Sequence, residues 1–186
     1  TDWFNDEVKT AFEASDEVVV EAIMPEGQAA LQPLIVKYAV DATGNTLTSK
    51  LPAEMKTKYE KTMAGIGIPA QAFEPLEPWF VTMALTAVAG QKLGLKPEHG
   101  ADVIITKAAK AAGKPVAELE GAEWQLSLFD KMPEDKQIVQ LGQTLDAVPE
   151  MGPQLSQMLA SWSKGDVDAL ATMMNASLKE TPELYK

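Results

Sequence analysis

Apolar residues recur along this chain mostly at the spacing of a helix. Trp3, Phe4, Val8, Ala11 and Phe12 share one face over residues 2–14, with Asp2 placed to cap the start. Residues 28–40 read as a second helix, with Pro33 near its start or at a kink. Residues 46–51 read as a short strand or an extended connection. Pro52 then opens a helix in which Met55, Tyr59 and Met63 stand at i, i+4 and i+8, and the glycines and proline of 65–69 end it. Residues 78–93, with Pro78 in the first turn, are apolar almost all round, which predicts a helix at the centre of the core. A further helix spans 101–112 and closes at Gly113. Beyond it the spacing predicts helices at 122–131, 134–147, 153–163 and 167–178. Trp162 with Gly165-Asp166 reads as a helix end, glycine taking the left-handed position and Asp166 capping the next helix.

Two segments break this period. Val18-Val19-Val20 is β-branched without alternation, the pattern of a strand buried on both faces, and Glu21 stands at its carboxyl end. Pro115 to Glu120 reads as a second strand that also ends in a carboxylate. The order predicts a helix-rich α/β fold, with a small parallel sheet (about 17–22 and 115–120), crossover helices and a large helical lobe (about 52–94 and 121–178). Two or three strands do not hold together as a sheet alone, so the expectation is one incomplete domain.

Charge narrows the function classes. The net charge is −11, and all 16 basic residues are lysine. Arginine is the usual bidentate partner of phosphate and guanine, so nucleic acid is not an expected partner. Cysteine is absent and His99 is the sole histidine, which excludes from these residues Cys-based zinc sites, HExxH and any two-histidine metal site. The most apolar run, 79–90, is too short for a membrane span, which takes roughly 20 residues. The chain opens at Thr1 without a signal peptide, which reads as a processed or cut start.

The candidate chemistry lies at the strand ends. Glu21 can coordinate a metal or act as a general base, or it is a solvated strand-end carboxylate. Glu120 can form an acid/base or cation-sharing pair with it, or cap the helix starting near Ala122. Glu118 is expected to be partnered or at a sheet edge. Asp102 caps or begins its helix, and Gln125 is a surface amide within reach of the crevice. His99 reads as a solvated loop residue. The nine methionines, among them Met83, Met158, Met173 and Met174, fall at core spacing, where packing is the default and an adaptable apolar groove the alternative.

Several blocks in order resemble the TraB/GumN (Tiki-like) family of the erythromycin esterase/ChaN-like superfamily. They are Ala14–Ala22 (ASDEVVVEA), Pro75–Leu85 (PLEPWFVTMAL), Gly100-Ala101-Asp102, Gly113–Glu120 (GKPVAELE), Trp124-Gln125-Leu126, Trp162–Asp166 (WSKGD) and Thr181–Tyr185 (TPELY). The resemblance implies a metal-dependent, peptidase-like hydrolase acting on a peptide or small molecule, with Mn, Co or Zn in the complete domain. It implies GxxH motifs on both sides of these residues and an Arg-Asn pair beyond Tyr185. Glu21 is the clearest retained signature residue, a catalytic residue and metal ligand; Glu120 joins it as a second catalytic candidate through its equivalent place on the second strand. Without the GxxH histidines the chain alone is expected to be inactive, and the family suggests an extracytoplasmic home. The alternatives are a protein holding haem or another hydrophobic ligand, as in a related branch of the superfamily, and a helical interaction module.

Overall fold

A computed structural model describes residues 3–25 and 27–176. It contains ten α-helices and two strands among those residues: α1 (Asp6–Ala14), β1 (Val18–Val20), α2 (Gln28–Tyr38), α3 (Leu47–Lys50), α4 (Ala53–Ile66), α5 (Pro78–Lys92), α6 (Ala101–Ala112), β2 (Val116–Glu118), α7 (Ala122–Asp130), α8 (Glu134–Ala147), α9 (Met151–Lys164) and α10 (Val167–Met174). The helix-rich α/β architecture with a small parallel sheet is therefore present. The expected extension of the last helix to 178 and the block at Thr181–Tyr185 lie outside the described residues. No helix among the described residues is long and apolar enough to cross a membrane.

The core sits between α4, α5 and α8. Tyr59 and Met63 of α4, Val81 and Leu85 of α5, and Leu141 and Leu145 of α8 are buried together with Leu47 and Leu51. Tyr59 donates its hydroxyl proton to the Ala70 carbonyl at 2.8 Å, which satisfies the polar end of a buried ring. Gly142 lets α8 approach α4, since a Cβ there would stand 2.8 Å from Met55 Cε.

Three local expectations are corrected. The first helix begins at Asp6 and is capped by Asn5, whose Oδ1 accepts from the Val8 N–H at 3.1 Å; Asp2 lies outside the described residues, and Trp3 and Phe4 precede the helix. Phe4 instead packs edge-on against Phe12, at 6.0 Å between ring centres. Residues 47–50 form a helical turn rather than a short strand or an extended connection. Glu74 explains it: its carbonyl accepts from Leu47 N–H, and its carboxylate accepts from Thr48 N–H and Oγ1 at 3.1 and 2.8 Å. A remote carboxylate thus satisfies donors at the start of the turn, which local spacing cannot reveal.

The strands pair in parallel with Val18 opposite Val116 and Val20 opposite Glu118. Val18, Val20 and Ala109 of α6 form a second small core with Phe12, Ile105 and Val116 around them. Val19, on the other face, is 52% exposed, so β1 is covered on one face and not on both as expected.

The α9–α10 junction matches its sequence signature. Gly165 has φ 70°, its N–H and that of Asp166 bond the carbonyls of Trp162 and Ser161, and Asp166 caps α10 through the Ala169 N–H. A Cβ at Gly165 would meet nothing within 4 Å, so Gly165→Ala is expected to cost only the left-handed conformation, about 1 kcal/mol in urea unfolding. A loss above about 3 kcal/mol would show that packing rather than φ is decisive there.

Candidate active site at the strand ends

The parallel ladder fixes where the two sequence-predicted carboxylates stand. Leu119 N–H donates to Val20 O at 3.0 Å and Glu120 N–H donates to Glu21 O at 2.9 Å, so pairing runs past the strands and leaves Glu21 and Glu120 side by side. They occupy the carboxyl edge, where open parallel sheets place their ligand crevices.

One amide joins them. Gln125, one turn into α7, donates from Nε2 to Glu21 Oε1 at 2.8 Å and to Glu120 Oε2 at 3.2 Å. Two bonds of that length from one nitrogen hold the two oxygens within about 6 Å of each other. Glu21 is exposed and Glu120 half-buried. Neither has an ion-pair partner among the described residues. Glu120 therefore does not cap α7, whose cap residue Gly121 receives no side-chain bond; its carboxylate instead accepts from the Gln125 side chain.

Neighbouring contacts hold this geometry. Glu118 accepts from the Ile23 N–H at 2.7 Å and so ties the segment leaving β1 back to β2. Lys37 and the Tyr38 hydroxyl of α2 both donate to Glu123 Oε1, at 2.5 and 2.8 Å, which anchors the turn of α7 that carries Gln125. The hydrogen bond from Lys37 holds the Glu123 carboxyl below the usual carboxylate range, and the same bond raises Lys37. Both groups are exposed, and their role is orientation.

The remaining candidates separate from this pair. Asp102 begins α6 in its first turn, while Gly100 holds the cap position. His99 is exposed in the 3-10 turn leading to α6 and has no hydrogen bond to either carboxylate. Met63 is buried and Met158 and Met173 are partly buried, but Met83 and Met174 are exposed, which corrects their reading as core. A groove of about 440 Å³ between α4 and the end of α8 is lined by Ile66, Leu145, Val148 and Pro149 under the Lys58–Asp146 ion pair, and none of the strand-end carboxylates reaches it.

A second polar cluster escaped the sequence reading. Asp41 and Lys50 form an ion pair with side chains only 2% and 8% exposed, and Lys50 also meets Glu134 at 2.5 Å. Burial pushes the Asp41 carboxyl up, but bonds from Lys50 and Thr43 outweigh it and leave it below the usual range. Beside it, burial raises the Glu77 carboxyl, whose Oε2 accepts from Gln137 Nε2 at 3.3 Å. Gln137 is buried and also bonds the Met132 carbonyl and the Trp79 N–H. One signal was available: Gln137, Leu141 and Leu145 stand at i, i+4 and i+8, which puts an amide on the core stripe of α8.

The donor chemistry of the strand-end pair suits a hard divalent cation. Two carboxylates present oxygen to one point, and half a turn of the Gln125 amide would add Oε1 as a third oxygen donor. The described residues contain no group of three or more His, Asp or Glu able to hold a metal, so this set supplies part of a coordination shell.

Comparison with known proteins adds a lineage to this geometry. A sequence model described as the TraB/PrgY/gumN family matches residues 1–186. The uncharacterised protein YbaP of Escherichia coli (strain K12) is 34% identical over 116 residues, 62% of this chain and 44% of that protein. The uncharacterised protein YbaP of Shigella flexneri matches with the same figures. The match thus spans less than half the length of these relatives. No solved structure matches.

Proposed function

The chain belongs to the TraB/PrgY/gumN family, and from that membership we propose that it contributes the carboxylate side of a metal-dependent hydrolytic centre acting on a peptide or small molecule. The observation that carries this reading is the single Gln125 amide bonded to both Glu21 and Glu120 at the carboxyl edge of the sheet. Two carboxylate oxygens held this close by one amide form a site that a bound cation would occupy with favourable charge.

In this reading Glu21, the exposed member, is the cation ligand. Glu120, half-buried beside it, takes the proton from an attacking water, and Gln125 keeps the two carboxylates in register. A bound divalent cation would supply polarisation of the water or of the substrate carbonyl. An all-oxygen donor set favours Mn²⁺ over Zn²⁺ or Co²⁺, which prefer nitrogen and sulfur ligands.

The test is Mn²⁺ binding, read by loss of the free-ion electron paramagnetic resonance signal. Glu21→Gln is expected to weaken binding at least about tenfold, as loss of a charged ligand should. Glu54→Gln, which removes an exposed carboxylate on α4 away from the strand ends, is expected to bind as the parent does. Equal Mn²⁺ affinity in the parent and Glu21→Gln would overturn the assignment.

A further inference from the structure

The helical hairpin of α9 and α10 carries an apolar surface that the other described residues leave uncovered. Leu155, Met158, Leu159 and Trp162 recur at helical spacing on α9, and Val167, Leu170 and Met174 do so on α10. Leu155, Met158 and Leu170 are partly covered. Leu159 is 57%, Trp162 67%, Val167 71% and Met174 64% exposed. The surface continues at the foot of α9, where exposed Leu93 lies against Gly152: a Cβ there would stand 3.3 Å from Leu93 Cδ2.

We propose that this hairpin is a self-association surface, on which a second copy of the chain lays its own α9–α10 hairpin to close a four-helix bundle. Charge selects that occupant. Residues 151–174 contain one lysine, Lys164, against Asp166 and Asp168, while the chain as a whole carries −11. Two nearly neutral hairpins meet without the repulsion that the remaining surface imposes. The single lysine gives an anionic membrane surface or an acidic segment almost nothing to grip.

Area supports the same occupant. A buried tryptophan removes about 150–250 Å² from water, and burying a leucine-sized side chain removes on the order of 100 Å². The four exposed side chains therefore offer about 300 Å² per copy, or about 600 Å² in a pair. Leu93 and the partly covered Leu155, Met158 and Leu170 bring the total to roughly the 1,000 Å² at which specific interfaces begin. A two-fold contact uses one patch on both copies and closes at two, so it forms no fibre.

Sedimentation equilibrium of the full chain tests this, with tryptophan emission, to which Trp162 contributes beside Trp3, Trp79 and Trp124, as a second readout. A concentration-dependent dimer at tens of micromolar is expected, with tryptophan emission shifting to longer wavelength on dilution. Trp162→Lys and, independently on the other helix, Val167→Glu are each expected to raise the dissociation constant at least about 30-fold. Both residues are exposed in the single chain, so helicity should persist in the far ultraviolet. Leu119→Lys, which changes another exposed apolar position, is expected to leave the dimer intact. A monomer up to roughly 200 µM, a dimer that survives both hairpin substitutions, or one lost equally in Leu119→Lys would each overturn the proposal.

Discussion

Lys50→Met is expected to destabilise the fold by about 3–5 kcal/mol in urea unfolding at neutral pH. The side chains of Lys50 and Asp41 are almost fully removed from water, and methionine would leave the Asp41 carboxylate buried with only the Thr43 backbone and hydroxyl donors. The loss is that of an uncompensated charge, not the value of the ion pair. Lys50→Met combined with Asp41→Asn should therefore recover about half of it. A double variant no more stable than Lys50→Met alone would show that Lys50 acts through its stem or through Glu134.

The pH dependence has a definite sign. Asp41 is held below its ordinary value, so its contribution is fully present above the unfolded aspartate pKa, near 3.9, and is lost as pH falls through that value and below it. Glu77 runs oppositely. Burial raises its carboxyl, so its contribution is present below the unfolded glutamate value near 4.3 and declines as pH rises through the folded one. The acid-side loss of stability should therefore shrink in Lys50→Met, where Asp41 no longer gains from being charged.

Elements set by local rules were legible in the chain. Gly113 and Gly165 have positive φ at the ends predicted for them, and α6 and α8 span the predicted residues. The strand-end pair was legible too, because parallel strands followed by helices must put Glu21 and Glu120 on one edge. Three features were not, each for want of a remote partner. Leu47–Lys50 becomes a helical turn because Glu74, 26 residues away from Thr48, supplies acceptors. Gln125 reads as within reach of the crevice, but its bridging of both carboxylates waits on the ladder that brings Glu21 to it from 104 residues away in sequence. Lys50 carries no local signal for its ion pairs, because its partners arrive from α8, which delivers Glu134, and from the turn after α2, which delivers Asp41. Val19 misled for the converse reason: a β-branched run specifies a strand, while coverage of its second face depends on what packs there.

Trp79 carries the second large effect. Its ring is buried at 1% exposure, stacked on Phe129 with centres 5.6 Å apart and 13° between planes, and edge-on to Phe80. Trp79→Ala should cost about 3–5 kcal/mol, the range for emptying an aromatic site in a core. Trp79→Phe tests something finer. The indole Nε1 is buried with no hydrogen-bond partner among the described residues, and such an orphan costs about 1–3 kcal/mol. Phenylalanine removes the orphan and keeps a ring to stack on Phe129, but it leaves part of the indole volume empty. The main-chain N–H of residue 79 keeps its 3.2 Å bond to Gln137 Oε1 in either variant. Gain and loss are of similar size, so Trp79→Phe is expected within about 1.5 kcal/mol of the parent. A loss for phenylalanine as large as that for alanine would show that the full indole volume, not the unpartnered N–H, decides this site.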